Sequence, residues 1–416
     1  MSKKSVRDLP VKGLRVLTRA DFNVPLDEQG NITNDARIRM FLPTLNHIVA
    51  NGGRAILMSH LGRPKGDPAA DRKYSLRPVA MRIEELTGRS CRFVEDCIGP
   101  EALAASSDLK DGETLLLENL RFHPAETIID EAKKNPGGKL TPAQDEKRRF
   151  FARALAAHGD VYVNDAFGTC HRNHVSMYDV PQLIPKGGRA VGFLVEKELR
   201  YLGQAVDSPK RPLVAVLGGA KVSDKIGVIK NLLKKVDQVL VGGAMAYTFW
   251  AAQGRRIGRS LCEPDKLDLA RELIQSGGQK LHLPVDSVAA PELKPGLRPQ
   301  IVEGDLPDDL MGLDIGPKTF DMFRRLIHDA GTIVWNGPVG AFEVEPFDTG
   351  TMALARQMAD AAGRGAIVVV GGGDTAAAVE KAGLAERMTH VSTGGGASLK
   401  FLEGKKFDPI EILDEA

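Results

Sequence analysis

Leu213-Val214-Ala215-Val216-Leu217-Gly218-Gly219-Ala220-Lys221-Val222-Ser223-Asp224-Lys225 decides the fold. Its five leading apolar residues do not alternate with polar ones, which marks a strand buried on both faces, as in a parallel sheet. Two glycines then end the run. Beyond them Ile226, Ile229, Leu233 and Val236 recur at helical spacing, with Ser223 or Asp224 placed to cap the helix. Strand, glycine turn and helix together make one βα unit.

The same pattern recurs on both sides. Short apolar runs lie at Leu14–Leu17, Ala55–Met58, Cys91–Val94, Thr114–Leu117, Val161–Val163 and Ala190–Leu194. They return at Gln238–Val241, Leu281–Val285, Thr332–Trp335, Ile367–Val370 and His390–Ser392. Helical stretches separate them, Thr351–Ala362 among them. So many units exceed one core, and 416 residues divide naturally into two α/β domains. Pro181, Pro185, Gly187 and Gly188 break the chain before a charged stretch, Glu196–Ala205, that reads as a connecting helix. Residues 126–149 read as a polar surface excursion.

Composition narrows the function. Lys and Arg number 56 against 54 Asp and Glu, a net charge of +2. That balance argues against wholesale nucleic-acid or anionic-membrane binding. Aromatic residues are 5% and the arginines are scattered, so interleaved stacking on single strands is disfavoured as well. The N-terminus lacks an apolar signal core, and no apolar run approaches a membrane span, so a soluble cytoplasmic protein is expected. Cys91, Cys97, Cys170 and Cys262 show no zinc spacing and read as reduced thiols. Cys170 beside His171 and His174 raises a metal site or a thiol nucleophile, but no second ligand pair or orienting group accompanies it.

In open parallel sheets ligands bind beyond the carboxyl ends of the strands. There the two halves differ. The first half carries Arg19, Asp21 and Asn23, then His60 and Arg63, then Glu118, Asn119 and Arg121, then Asn164, Asp165, His171 and Arg172, with Arg37 in the loop after the first strand. Converging arginines suit phosphate and carboxylate. The alternative for each is a structural ion pair. In the second half the strand ends are glycines, at Gly218-Gly219, Gly242-Gly243, Asn336-Gly337, Gly371-Gly372-Gly373 and Gly394-Gly395-Gly396. Glycine permits close backbone approach, and a following helix N-terminus offers N–H groups to phosphate. No GxxxxGK[ST] loop and no GxGxxG fingerprint is present. Lys221 and Lys225 sit where cations are unfavourable unless an anion binds. Asp374 is placed as a helix cap or a Mg²⁺ ligand. A small-anion site in one domain and a phosphate site in the other point to phosphoryl transfer.

At this point the motifs resemble the phosphoglycerate kinase family over essentially the whole chain. They are Arg19-Ala20-Asp21-Phe22-Asn23-Val24-Pro25, Ser59-His60-Leu61-Gly62-Arg63-Pro64, Glu118-Asn119-Leu120-Arg121-Phe122, Asp165-Ala166-Phe167-Gly168-Thr169, Gly218-Gly219-Ala220-Lys221-Val222, Trp335-Asn336-Gly337-Pro338-Val339-Gly340, Gly371-Gly372-Gly373-Asp374-Thr375 and Ser392-Thr393-Gly394-Gly395-Gly396-Ala397. The resemblance implies two Rossmann-like three-layer lobes with mainly parallel sheets, joined by a connecting helix and hinge. A phosphoglycerate-binding lobe is expected over 1–190, with the tail 403–416 returning to it. A nucleotide-binding lobe is expected over 191–402. The implied reaction is 1,3-bisphosphoglycerate + MgADP ⇌ 3-phosphoglycerate + MgATP, run by a monomer with hinge closure. By motif position, Asp21, Phe22, Asn23, Arg37, His60, Leu61, Gly62, Arg63, Arg121 and Arg172 are expected to hold the glycerate. Gly219, Ala220, Lys225, Gly243, Asn336, Glu343, Gly372, Gly373, Asp374 and Thr375 are expected to hold the nucleotide, and Asp374 the Mg²⁺. Arg37, Lys221 and the helix starts at Gly373 and Gly395 are expected to stabilise the moving phosphoryl group.

Three residues depart from the family pattern. Thr18 replaces an apolar strand residue, Lys400 stands where Glu is usual, and Cys170 where a small residue is usual. The rival reading, a non-enzymatic phosphate-sensing relative, would show loss of Lys221, Arg37 or Asp374, and all three are present.

Overall fold

The computed structural model describes residues 3–416. Two compact units form, one from residues up to 198 with 406–416, the other from 199–405.

The first unit is built on a six-stranded sheet in the order β3-β4-β2-β1-β5-β6. Its strands are β1 (Arg15–Ala20), β2 (Arg54–Met58), β3 (Cys91–Val94), β4 (Thr114–Leu117), β5 (Val161–Asp165) and β6 (Arg189–Val191). Every pairing is parallel. Burial on both faces explains the unbroken apolar runs: β4 and β5 are buried throughout. Thr18 is one of these buried residues, and its hydroxyl turns back to the Val16 carbonyl at 3.3 Å. The sheet order switches direction at β1, with β2 on one side and β5 on the other, which opens a crevice at their carboxyl ends.

The C-terminal tail belongs to this unit. Lys3 Nζ donates to the carbonyls of Glu411 at 2.9 Å and Leu413 at 3.0 Å. Asn173 donates to Asp408 at 2.7 Å. The division between the units falls inside the helix Phe193–Asp207, later than residue 190. The first turns of that helix are tied to the first unit, where Val195 N donates to Asp165 at 3.0 Å and Phe193 N to Thr44 at 2.9 Å.

The second unit carries β7 (Leu213–Leu217), β8 (Gln238–Val241), β9 (Leu281–His282), β13 (Thr332–Asn336), β14 (Ile367–Gly371) and β15 (His390–Val391) in the order β15-β14-β13-β7-β8-β9. This sheet is also parallel throughout. Its switch point lies at β7 between β13 and β8. Trp335 and Phe323 are fully buried in the core against Val216, Val370 and Met358.

Two local expectations are corrected. A three-stranded antiparallel sheet, β11-β10-β12, interrupts the series, formed by β10 (Asp286–Ala290), β11 (Gln300–Glu303) and β12 (Met311–Ile315). Acidic, small and polar residues interrupt the apolar positions of its strands, and β9 is cut to two residues. The helix after the Lys221 loop spans only Ile226–Leu232, with Lys225 at its N-cap rather than Ser223 or Asp224. Ser223 instead donates its N–H to Glu263 at 3.1 Å. Residues 126–149 are mostly helical, ending in Pro142–Ala156, which Thr141 and Gln144 start with a reciprocal capping box. Glu126 in this segment is fully buried. Among the described residues no helix is long and apolar enough to cross a membrane.

Candidate active site

In the first unit polar residues after β1, β2 and β4 are joined in one network. Asp21 accepts from Arg37 Nη1 at 2.8 Å. Asn23 Oδ1 accepts from Gly62 N at 2.8 Å, and Arg121 Nη1 donates to the Gly62 carbonyl at 2.7 Å. The 60–63 loop is thus clamped from both sides. Glycine is required at its centre: Gly62 has φ of +61°, and a Cβ there would meet the Tyr74 ring at 2.3 Å. Phe22 and Leu61 contribute scaffold rather than exposed side chains. Phe22 is fully buried edge-on against Phe41, with ring centroids 5.2 Å apart. Leu61 has both backbone groups bonded to Asn119.

Arg19 is corrected from a ligand-facing arginine to an internal one. It is fully buried, as is Glu126, whose carboxylate lies 3.8 Å away. Arg63 and Arg172 are exposed. Arg172 lies 3.6 Å from Asp130, which also accepts from His174 Nε2 at 3.3 Å. Positive charge is in surplus: burial, then Arg19 and Arg172, push the half-buried Arg121 down to about 10. Its Nε is buried without a partner. An anion would relieve both conditions.

Cys170 is no nucleophile. It is fully buried, burial raises its thiol pKa, and its Sγ donates to the Ala166 carbonyl at 3.4 Å.

In the second unit the glycine loops divide into two kinds. Some glycines pack loop on loop. A Cβ at Gly218 would lie 2.0 Å from the Pro338 carbonyl oxygen, one at Gly337 2.2 Å from that of Gly218, and one at Gly243 2.6 Å from Gly219 N. Backbone bonds lock the same loops: Gly218 N to Asn336 O at 3.0 Å, Gly219 N to Pro338 O at 3.0 Å, and Gly243 N to Val339 O at 2.9 Å. Other glycines face space. Gly373 and Gly395 have nothing within 4 Å of a built Cβ. These begin the helices Gly373–Lys381 and Gly396–Leu402, so their N–H groups are open to an anion. Sequence reading did not separate the two kinds, because the difference lies in what packs opposite.

The polar groups around this cradle are specific. Lys225 Nζ donates to Asn336 Oδ1, and Asn336 Nδ2 is buried without a partner. Burial pushes Lys225 down to about 8, against the pull of Asp224 and Asp374. Thr375 is fully buried, and its hydroxyl accepts from Gly337 N at 2.7 Å, tying the Gly373 helix to the Asn336 loop. Ala220, Lys221 and Glu343 are exposed. Asp374 is exposed in the first helical turn, and no described residue pairs with it. A free carboxylate beside an anion cradle is the hard oxygen donor Mg²⁺ requires, so the residues fit that ion. Lys400 pairs with Glu403 at 3.1 Å, and Glu403 also binds Lys405 at 3.1 Å.

Two parallel-sheet units, one arginine-lined and the other glycine-lined, have the chemistry of a phosphotransferase. The family model for phosphoglycerate kinase matches residues 6–405. The phosphoglycerate kinase of Chlorobium phaeobacteroides is 52% identical over 419 residues, covering all of both chains. That of Prosthecochloris aestuarii is 50% identical over the same span. The structure of phosphoglycerate kinase from Coxiella burnetii superposes with a TM-score of 0.84 at 37% identity, covering 99% of this chain and 98% of that one. The chain belongs to the phosphoglycerate kinase family, and it is an enzyme of the transferase class.

Proposed function

We propose that the chain catalyses reversible in-line phosphoryl transfer, 1,3-bisphosphoglycerate and MgADP giving 3-phosphoglycerate and MgATP. The observation that carries this reading is the pairing of a cation-rich site, where Arg121 is pushed down to about 10, with an open glycine cradle on a second sheet. Arg63, Arg121 and Arg172 bind the glycerate phosphate. Asp21, Asn23, Arg37 and His60 take its hydroxyl and carboxylate, with the backbone of Phe22, Leu61 and Gly62 shaping the pocket. Gly219, Ala220, Gly243, Asn336, Glu343 and Gly372 to Thr375 hold the nucleotide, and Lys225 supplies a cation to its phosphates. Mg²⁺ bound at Asp374 supplies charge neutralisation to the nucleotide phosphates.

Lys221, Arg37 and the N–H groups following Gly373 and Gly395 stabilise the charge of the moving phosphoryl group. The substrate carboxylate is the nucleophile in the direction that consumes ATP, so no protein nucleophile is needed. Two substrates held on different units must be brought together, and closure that excludes water protects the acyl phosphate from hydrolysis. The four free cysteines fit a reducing cytoplasm. Action as a monomer is checked by sedimentation.

The test is a coupled assay supplying ATP, Mg²⁺ and 3-phosphoglycerate. Acyl-phosphate formation is followed as NADH loss through glyceraldehyde-3-phosphate dehydrogenase. Turnover should require both substrates and Mg²⁺. Folded protein that binds MgADP yet shows no turnover would overturn the assignment.

A further inference from the structure

We propose that Arg19 is a positioning residue that fixes His60 as the neutral tautomer with its proton on Nε2, making His60 a permanent hydrogen-bond donor to the bound glycerate. The last part rests on the function proposed above; the tautomer does not.

The argument begins with what a guanidinium can do. Arginine carries donors only. Arg19 Nη2 lies 3.2 Å from His60 Nδ1, so Nδ1 must accept and cannot carry a proton. A neutral ring then has its proton on Nε2.

Arg19 cannot turn away from this contact. Its Nε donates to Ser176 Oγ at 2.8 Å and its Nη1 to the Ala20 carbonyl. Ser176 is itself held, its hydroxyl donating to Glu126 at 2.6 Å and its N–H at 2.9 Å. Arg19, Glu126 and Ser176 are all fully buried.

A second proton on His60 is opposed from every side. Burial leads in holding the ring's pKa well below the ordinary histidine value, followed by Arg19 on β1, Arg121 after β4, His174 before the helix Val175–Leu183, and Arg37 on the helix Ala36–Ala50. The nearby carboxylates are committed elsewhere, Asp21 to Arg37 and Glu126 to Arg19 and Ser176. No described residue accepts a hydrogen bond from His60 Nε2. That N–H is the donor left for a glycerate oxygen, and it does not titrate near neutral pH.

The experiment is a long-range ¹H–¹⁵N correlation spectrum of the full chain, labelled at histidine nitrogen and recorded without substrate. His60→Gln identifies the resonance among nine histidines. The expected result is an unprotonated Nδ1 and a protonated Nε2, constant from about pH 5 to 8. A proton on Nδ1, or a titration within that range, would overturn the proposal.

The double variant Arg19→Met/Glu126→Gln avoids leaving Glu126 buried and unpaired. It should show both tautomers and raise KM for 3-phosphoglycerate about tenfold, the scale of one lost hydrogen bond, with KM for MgADP unchanged. A single Nε2–H tautomer persisting in that variant would show that Arg19 is not the cause. If the variant does not fold, the wild-type spectrum still decides. An inactive protein with a locked His60 would sink the proposed reaction and leave the lock standing.

Discussion

Lys221 stands exposed beside the glycines that end β7, and no described residue pairs with it. Arg37 is instead held by Asp21 at 2.8 Å and is about a third exposed, at 36%. These two cations are assigned the same task from different starting states. Lys221→Ala and Arg37→Ala should each lower kcat by roughly 10²–10³-fold, the scale of one transition-state donor, with smaller effects on KM. Near-normal kcat in both would remove their role. Gly62→Ala tests the scaffold: it places a Cβ 2.3 Å from the Tyr74 ring at a φ of +61°. We expect a loss of about 1–3 kcal/mol in urea unfolding and a raised KM for 3-phosphoglycerate. Arg63 and Lys221 were legible as strand-end cations from sequence, and both stand exposed. Arg19 was misread because a strand-end arginine looks the same in sequence whether it meets a ligand or a buried Glu126.

Loops and helix starts, rather than single side chains, shape the glycine cradle. The loop following β13 is pinned from beneath by Asp314 on β12. The carboxylate of Asp314 accepts from Gly350 N at 2.6 Å and Ile315 N at 2.8 Å, and a Cβ at Gly340 would lie 2.0 Å from its Oδ1. Next to it, Ala341 N donates to the Leu313 carbonyl at 2.9 Å. Asp314→Ala should cost about 1–3 kcal/mol for the stranded Gly350 N–H. It should raise KM for MgADP while leaving KM for 3-phosphoglycerate alone, and Asp314→Asn, which keeps one acceptor oxygen of two, should recover only part of the loss. Equal rises in both KM values would contradict this placement. None of this was visible from residues 286–315, where acidic, small and polar residues interrupt the apolar positions of the antiparallel strands. β2, β4, β7 and β14 were legible because they are buried on both faces and therefore apolar along most of their length.

At the scale of the whole molecule, buried ionisable groups set the response to pH. In the first unit burial pushes His158 and His174 down to about 4 and Asp165 up to about 7. Below about 6.5 the unfolded histidines take up protons that the folded ones refuse, so acid destabilises this unit through His158 and His174, while Asp165, which keeps its proton in the folded state, acts in the opposite sense. In the second unit burial pushes Asp314 up to about 8 from an ordinary 3.8. Folded Asp314 then keeps a proton that the unfolded chain releases, so stability falls as pH rises toward about 8. Both tryptophans, Trp250 and Trp335, lie in the second unit and report it by fluorescence. The urea midpoint followed at these residues should decrease from about pH 6.5 to 8. An increase would refute the assignment to Asp314.

What the sequence alone determined is the repeating βα pattern, two parallel sheets, the glycine and arginine strand ends and the family. These follow from short-range rules: both-face burial makes strands apolar, and tight turns demand glycine. Tertiary structure alone decided that Arg19 faces Glu126, that Gly218 and Gly337 pack against each other while Gly373 stays open, and that Thr375 ties two loops together. Burial and hydrogen-bond partnership depend on residues distant along the chain, and neighbouring sequence carries no record of them.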